Sequence, residues 1–487
     1  MSTGSLQKGL LIFVVAFVGM AAAASAADPV LERASVATGA AGLKSIRYAG
    51  DGIGYTFGQA YKPGLPWPKI RVQSFVRVVN YETGSMKDEI VFARAEGLGG
   101  GGYPHVAPQR NEQYVSGAHA WNQTAAGPAA GPRFIADRVH QLWITPQGVV
   151  KAAIRNNAIV RQQTRNGLAY ATASFTEPGR FTAVAYINAA GLVERVESRV
   201  PDPVLGEADV VTTYADYRDF GGVKFPTRIA QTQGGFPVLD LAVTDVQPNA
   251  AADIRLPDAV KNATERVTTE KVAEGVWFIA GGSHNSVAIE MKDYVIVVET
   301  PLNDGRSVPV LAQVKQLVPG KQVRYVVNSH QHFDHSGGLR AAVAEGATIV
   351  TQAQNRPYYE RAFAVANTIN PDQLAKSGRK PKFLVVDEKM VLTDGTRAVE
   401  LHHVADSHHS DSFLIVYLPR EKLLIEADSF TPGPPNAPPP AQLNPHHTNL
   451  VDNLQRLALP VDRILPLHGR IVSVNELYDA VRQTPPR

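Results

Sequence analysis

The chain has no cysteine among its 487 residues. This absence excludes disulfides, thiolate zinc fingers, thiolate-ligated iron–sulfur clusters and a cysteine nucleophile. The chain also lacks an excess of charge of one sign. Its 48 Lys and Arg against 45 Asp and Glu give a formal net charge of only +3. Such a balance argues against nucleic acid or an anionic membrane surface as the partner. The length predicts two or three domains, and a composition of 44% hydrophobic and 19% charged residues is typical of a folded chain.

Long apolar runs are lacking after the N-terminal segment. In that segment Lys8 precedes an apolar run from Gly9 to Met20, and small residues follow at positions 24–26. The order of charge, apolar core and small residues is typical of a secretory signal peptide. The apolar core is too short for a transmembrane helix, which needs about 20 residues. We therefore expect residues 1–27 to be a signal peptide, and the mature protein to be periplasmic or secreted without stable membrane insertion.

The remaining chain divides into two halves with different patterns. Residues 28–261 contain short alternating runs, such as Ile70–Tyr81 and Arg180–Ile187, separated by Gly, Pro and Asn. This pattern predicts a mostly antiparallel β domain. In residues 262–487 short apolar strands alternate with helical spacing, which predicts an α/β layered domain. The pattern changes between Gln247 and Val267.

The β-rich half contains the stretch Tyr214–Pro226, in which Gly221-Gly222 separates two strand-like runs and predicts a hairpin. This stretch and the surrounding strand pattern resemble periplasmic lipoprotein-carrier domains, in which a curved antiparallel sheet can hold acyl chains. The alternative is a packing or dimerisation domain without a ligand. His140, like the other two histidines of this half, is interpreted as a surface or core residue.

Histidine is plentiful where cysteine is absent, and eleven of the fourteen histidines lie in the second half. After a short buried strand the chain reads Ser-His-Gln-His-Phe-Asp-His-Ser-Gly-Gly. Alternate residues of a loop that leaves a strand point the same way, so His330 and His332 can chelate one ion. Asp334 and His335 begin the following helix and can take a second ion, while Gly337-Gly338 permits a tight turn. Imidazole with carboxylate suits zinc, iron or manganese.

The HxHxDH motif followed by Gly-Gly is similar to the signature of the metallo-β-lactamase superfamily. The resemblance extends from about Val267 to the C-terminus and implies an αββα sandwich. It also implies further ligands in later loops: His409, favoured over His408, then Asp428 after a strand, and a late His468. In this assignment Asp428 bridges two ions, one bound by His330, His332 and His409 and the other by Asp334, His335 and His468.

The resemblance implies hydrolysis by a metal-bound hydroxide. Two zinc ions are expected, with iron or manganese as alternatives. Together with two carboxylates and one hydroxide they leave a charge of +1, which favours an anionic intermediate. A metal lowers the pKa of bound water to about 7, and Asp334 is the expected catalytic residue that accepts or shuttles the proton. The expected substrate is a small ester, lactone, thioester or amide.

Three other functions stay open. One is β-lactam hydrolysis, although the absence of cysteine excludes the lactamase branch that uses a cysteine ligand, and the other dinuclear branch typically lacks an aspartate equivalent to Asp428. Another is a diiron redox protein, but those family members carry glutamate where this chain has His332. The last is a lipid-binding protein with a vestigial metal domain.

Several other polar residues are expected near the site. His284, in the loop after an early strand, is a candidate for contact with the substrate or with a ligand. His408 and His446 are further candidates for such contacts, the latter beside a proline-rich loop. Glu299 is expected to form a hydrogen bond to a ligand histidine.

Overall fold

The computed structural model describes residues 28–95, 108–435 and 442–485. The predicted signal peptide at residues 1–27 lies outside the described residues. Within the described part no helix is long and apolar enough to cross a membrane.

The first half of the chain forms one large antiparallel sheet, to which the described residues contribute thirteen strands. The strands are β1 (Ser45–Tyr55), β2 (Lys69–Asn80), β3 (Ser85–Arg94), β4 (Gln109–Ser116), β5 (His119–Thr124), β6 (Gly127–Ala130), β7 (Ile159–Arg165), β8 (Leu168–Glu177), β9 (Phe181–Ile187), β10 (Val193–Asp202), β11 (Gly206–Phe220), β12 (Val223–Gln233) and β13 (Phe236–Pro248). The predicted β-rich domain and the β11–β12 hairpin around Gly221-Gly222 are confirmed.

Pairing between β1 and β13 joins two meanders into this single sheet, in the order β6-β5-β4-β3-β2-β1-β13-β12-β11-β10-β9-β8-β7. The register places Ile46 opposite Pro248 and shifts between Ala49 and Gly50. Glycine is required at this irregularity because a Cβ on Gly50 would lie 2.1 Å from the carbonyl oxygen of Ala242.

Three helices cover the apolar face of the sheet, and the strand-like pattern did not predict them. They are α1 (Pro29–Ala37), α2 (Ile135–Trp143) and α3 (Pro146–Arg155). Apolar residues of α2 and α3 such as Leu142 and Val149 are fully buried in one core with strand residues such as Phe181. Each helix is only nine or ten residues long, so packing on the sheet, more than local propensity, stabilises it.

His140 of α2 is a core residue, as one of the two interpretations held. It is fully buried, with its ring 5.1 Å from that of Phe181. Neither ring nitrogen has a hydrogen-bond partner among the described residues. Burial lowers the pKa of His140 to about 3, because charging it would place an unsolvated cation in the core.

Because His140 is buried in its neutral form, we expect the stability of the fold to decrease at acidic pH. Its folded-state pKa lies below the unfolded value of about 6.5, so its contribution to stability is complete above pH 6.5 and is lost as the pH falls. Between pH 7 and pH 5 the free energy of unfolding falls in both proteins. We expect this fall to be about 2 kcal/mol smaller in the His140→Leu variant than in wild type. Urea unfolding at both pH values measures the difference, and equal losses would contradict the assignment of His140 as a buried neutral group.

The second half forms two further sheets with helices outside them. One sheet contains β14 (Thr268–Ala273), β15 (Val276–Ala280), β16 (Ser286–Glu290), β17 (Tyr294–Val298), β18 (Gln322–Val327), β19 (Thr348–Gln352) and β20 (Phe383–Val386). The other contains β21 (Lys389–Thr393), β22 (Ala398–His403), β23 (Leu414–Leu418), β24 (Leu423–Glu426), β25 (Arg463–Pro466) and β26 (Val472–Ser473). The predicted boundary at residue 261 falls between the end of β13 and the start of β14.

The helices of the second half begin with α4 in the segment that joins the two halves. They are α4 (Asp258–Lys261), α5 (Asp304–Leu317), α6 (Phe333–Ser336), α7 (Leu339–Glu345), α8 (Arg356–Ala364), α9 (Gln373–Ser377), α10 (Pro445–Arg456) and α11 (Val474–Ala480).

Strand β17 shows how these layers pack. Ile296 and Val298 point into the core between the two sheets, whereas Val295 and Val297 point into the core beneath α5 and α7. Both faces of the strand are therefore buried, which explains its unbroken apolar sequence. Helices α10 and α11 cover the other sheet through residues such as Leu450. The layers are helix, sheet, sheet, helix, and the predicted αββα sandwich is confirmed.

Candidate metal centre

The polar residues of interest lie where strands of both sheets end at one edge of the sandwich. The loops that bear them follow β15, β18, β22, β24 and β25. Each strand is buried and fixes the start of its loop, so side chains distant in sequence converge. The convergence gives two groups of potential ligands among the described residues: His330, His332, His409 and Asp428, and next to them His284, Asp334, His335 and His468.

Donor atoms in the first group are spaced as ligands of one ion. The Nε2 atoms of His330 and His409 lie 3.1 Å apart, and the Oδ2 atom of Asp428 lies 3.2 and 3.3 Å from them. Ligands at 2.0–2.1 Å from a tetrahedral zinc ion stand about 3.3 Å apart. Two imidazole nitrogens and a carboxylate oxygen at these distances leave space suited to a cation.

The second group repeats this spacing with the other oxygen of the same carboxylate. His335 Nε2 lies 3.0 Å from His468 Nε2, which in turn lies 3.1 Å from Asp428 Oδ1. The Nδ1 atom of His468 donates to the carbonyl oxygen of Ser283 (3.2 Å), so in the neutral ring Nε2 carries the free lone pair. The Oδ2 atom of Asp428 also lies 2.8 Å from Nε2 of His335, so the carboxylate contacts imidazoles of both groups.

His332 is oriented by its outer nitrogen. Its Nε2 atom donates to the carbonyl oxygen of Ala60 (3.1 Å), while Nδ1 is buried without a hydrogen-bond partner among the described residues. A carbonyl only accepts, so the proton is on Nε2 and the lone pair of the neutral ring is on Nδ1. The unsatisfied Nδ1 atom costs free energy unless a cation or a proton occupies its free side.

Glu299 forms a hydrogen bond to the backbone at the start of the HxHxDH loop. Its Oε1 atom accepts a hydrogen bond from the backbone amide of Ser329 (2.6 Å), and Oε2 lies 3.6 Å from Nδ1 of His335. The side chain is fully buried, and its backbone lies in the left-handed region with a φ of 65°. This conformation is costly for a non-glycine residue and points to a site constraint.

The two glycines after the motif are required for a different reason from the one expected. Gly337 and Gly338 have ordinary φ values of −66° and −99°, so no special turn conformation needs glycine. Instead, a Cβ on Gly337 would lie 1.9 Å from the carbonyl oxygen of Leu302, and one on Gly338 would lie 1.9 Å from Oγ of Ser307. They permit close packing of α6 and α7 against the loop before α5 and against the first turn of α5.

The charge states of the side chains in the centre suit metal binding, which needs neutral imidazoles and ionised carboxylates. Burial lowers the pKa of His332 to about 3 and, with repulsion from neighbouring imidazoles, holds the pKa of His330 well below its usual range. Burial opposes ionisation of Asp334 and Asp428, but His335 and other imidazoles hold both carboxyl pKa values well below the usual range. Although burial also opposes its charge, these two carboxylates raise the pKa of His335 well above its usual range. Positive charge is therefore stabilised between the carboxylates.

All seven predicted ligands lie in the two groups, and His284 joins them as an eighth member. His284 is buried, and its Nε2 atom lies 3.2 Å from Oδ2 of Asp334. Between the two candidate histidines of the third loop, His409 lies in the first group, whereas His408 faces a surface groove beside α10. His446 borders the centre, with its ring 5.6 Å from that of His409.

One polar residue at the centre could not be predicted from the sequence. Gln59, which follows β1 in the first domain, donates from Nε2 to Oδ1 of Asp334 (2.8 Å). It belongs to no motif and lies 275 positions from its partner in the chain, so no local pattern signals the contact.

Comparison with known families identifies a domain within the second half of the chain. The family model of the metallo-beta-lactamase superfamily matches residues 279–468, which contain both groups of potential ligands. This chain carries a metallo-beta-lactamase superfamily domain. The match supports a hydrolase with a metal-binding site. The loops at the sandwich edge that carry the potential ligands lie within this metallo-beta-lactamase domain.

Individual relatives match parts of the chain at low identity. The 2,4-dinitroanisole O-demethylase subunit alpha of Nocardioides sp. (strain JS1661) is 28% identical over 169 residues, or 34% of this chain. The match spans about half the length of that relative, 48%. A metallo-beta-lactamase from Pontibacter korlensis is 17% identical, with 45% of this chain and 98% of that chain covered and a TM-score of 0.35. A metallo-beta-lactamase from Hirschia baltica is 20% identical, with 45% and 99% covered and a TM-score of 0.33.

Proposed function

We propose that the protein is a dinuclear zinc hydrolase acting on a small ester, lactone, thioester or amide. The observation that carries the proposal is the position of Asp428, whose carboxylate contacts imidazoles of both groups. Its Oδ2 atom lies 2.8–3.3 Å from the Nε2 atoms of His330, His335 and His409. Its Oδ1 atom lies 3.1 Å from Nε2 of His468. A carboxylate placed in this way suits two cations side by side. The donor set contains nitrogen and oxygen only, which zinc accepts, as do iron and manganese.

His330, His332 and His409 would hold one ion and Asp334, His335 and His468 the other, with Asp428 between them. The ions, when bound, supply a hydroxide at neutral pH and polarise the bond under attack. The chain contributes the positions of the donors. Asp334 would accept or shuttle the proton at Oδ2, the oxygen that lies 3.2 Å from Nε2 of His284.

His284 has two compatible roles beside Asp334. Its pKa is lowered to about 3 by burial, against the effect of the adjacent carboxylate, so the ring is neutral at physiological pH. It can complete the second group of ligands or hold the Asp334 carboxylate in place. His446 borders the opposite side, where it would meet a substrate that approaches the first group.

The proposal includes export to the periplasm or secretion, which rests on the signal-like segment at residues 1–27. A small-molecule substrate fits a chain with little net charge. The β-lactamase alternative is disfavoured by the aspartate at position 428. The relative from Nocardioides is named for an O-demethylase, so an activated aryl methyl ether belongs among the test substrates.

A substrate panel tests this function. Mature zinc-loaded protein is assayed with p-nitrophenyl acetate, a short-chain lactone, an acyl thioester, nitrocefin and 2,4-dinitroanisole, before and after chelation. We expect turnover of at least one ester, lactone or thioester that is lost on chelation and restored by zinc. Nitrocefin as the preferred substrate would establish the β-lactamase alternative instead. Turnover of the esters that is unaffected by chelation would contradict the proposal.

A further inference from the structure

The connection between β1 and β2, residues 56–68, reaches from the first domain to the candidate metal centre. It contacts both histidine loops through backbone hydrogen bonds. The amide of Phe333 donates to the carbonyl oxygen of Gly58 (3.2 Å), and the amide of Asp411 donates to that of Tyr61 (3.0 Å). The Tyr61 hydroxyl also donates to the carbonyl oxygen of Ser407 (3.0 Å). The connection therefore links the HxHxDH loop to the loop that carries the third histidine.

Aromatic packing holds this connection against the HxHxDH loop. The rings of Phe57 and Trp67 contact the ring of Phe333 edge-on, at centroid distances of 5.2 and 5.6 Å. Gly58 has a φ of +80°, and a Cβ there would lie 2.6 Å from the Phe333 ring. Glycine is needed both for the conformation and for the close approach, so the connection is built to lie against α6.

Two groups on the connection then touch potential ligands directly. The buried carbonyl oxygen of Ala60 accepts from Nε2 of His332 (3.1 Å) and from Nε2 of Gln331 (2.6 Å). The side-chain amide of Gln59 donates to Oδ1 of Asp334 (2.8 Å), while Oδ2 of Asp334 faces His284. The first contact fixes which nitrogen of His332 carries the lone pair, and the second holds Oδ1 of Asp334 in place.

We propose that the first domain is part of the metal centre, and that Gln59 is a positioning residue for Asp334. The inference rests on the proposed function, because it needs an ion for Asp334 to bind. Outer hydrogen bonds that orient metal ligands typically change metal affinity 10- to 100-fold when they are removed. The β-rich domain thus supplies the hydrogen bond to Oδ1 of Asp334, whereas His284 of the metallo-beta-lactamase domain contacts Oδ2.

Paired substitutions separate hydrogen bonding from packing. Gln59→Met keeps the length of the side chain and removes the donor, whereas Gln59→Ala removes both. Gln163→Met is the matched control, since Gln163 lies exposed in β7 at the far end of the first sheet. Zinc affinity of each full-length protein is measured by chelator competition, and the cobalt-substituted forms are compared by visible absorption. Thermal unfolding checks that each variant is folded.

We expect Gln59→Met and Gln59→Ala to bind one of two ions 10- to 100-fold more weakly, with an altered cobalt spectrum. The control should match wild type. Wild-type affinity and spectrum in Gln59→Met would overturn the inference, even if Gln59→Ala were impaired, because only packing would then matter. Failure of the wild-type protein to bind two ions would instead overturn the proposed function, and this inference with it.

Discussion

Replacing Asp334 with asparagine is expected to lower kcat/KM for the best substrate about 10³-fold. The carboxylate is ionised and held between the Gln59 amide and His284. Asparagine keeps the shape but removes the charge that helps bind an ion and accept a proton. Steady-state kinetics of the zinc-loaded variant measure the loss, with the zinc content determined on the same sample.

Asp406→Asn is the matched control, because Asp406 lies exposed in the loop that carries His409. Its left-handed φ of 51° is one that asparagine adopts readily. We expect this variant to retain wild-type kcat/KM. An Asp334→Asn enzyme within threefold of wild type would contradict the role given to this carboxylate.

Replacing Asp88 with alanine should destabilise the first domain by about 3–5 kcal/mol, the range for breaking a buried ion pair. Asp88 Oδ1 and Oδ2 accept from Nε and Nη2 of Arg77, both at 2.7 Å, and each side chain is less than 10% exposed. Without the carboxylate, the arginine remains buried without its charged partner. Chemical unfolding followed by tryptophan fluorescence measures the change.

The exposed pair of Arg255 and Asp253 provides the control, with side chains 86% and 69% exposed. Removing that carboxylate in Asp253→Ala should change stability by less than about 1 kcal/mol, since solvent screens exposed pairs. Equal effects of the two substitutions would show that burial of the Arg77 pair contributes nothing.

The sequence predicted those parts of the site whose residues lie close together in the chain. The HxHxDH loop needs only the alternation of residues after a strand, and its members lie within six positions. Asp428 and His468 were implied by the resemblance to the metallo-β-lactamase superfamily, and the structure places both in the two groups of potential ligands. His409 was favoured over His408 by family spacing, and the structure places it in the first group.

What the sequence did not predict depends on contacts between distant segments. Gln59 reaches Asp334 across 275 positions, and this depends on how the two domains pack. The glycines of the motif were assigned to a turn, whereas close packing against Leu302 and Ser307 requires them. Helices α2 and α3 were not predicted because strand-like sequence lies on both sides of them. They are stabilised by packing of their apolar face on the sheet, which is a contact between distant segments.

The metal content of the purified protein tests the central claim most directly. Wild-type protein and the Asp428→Ala variant are dialysed against zinc and then buffer, and metal per chain is measured by elemental analysis. We predict two ions per wild-type chain and a loss of at least one in the variant, because Asp428 faces both groups with its two oxygens. A wild-type chain that retains fewer than two ions, or a variant that retains two, would contradict the bridged dinuclear centre.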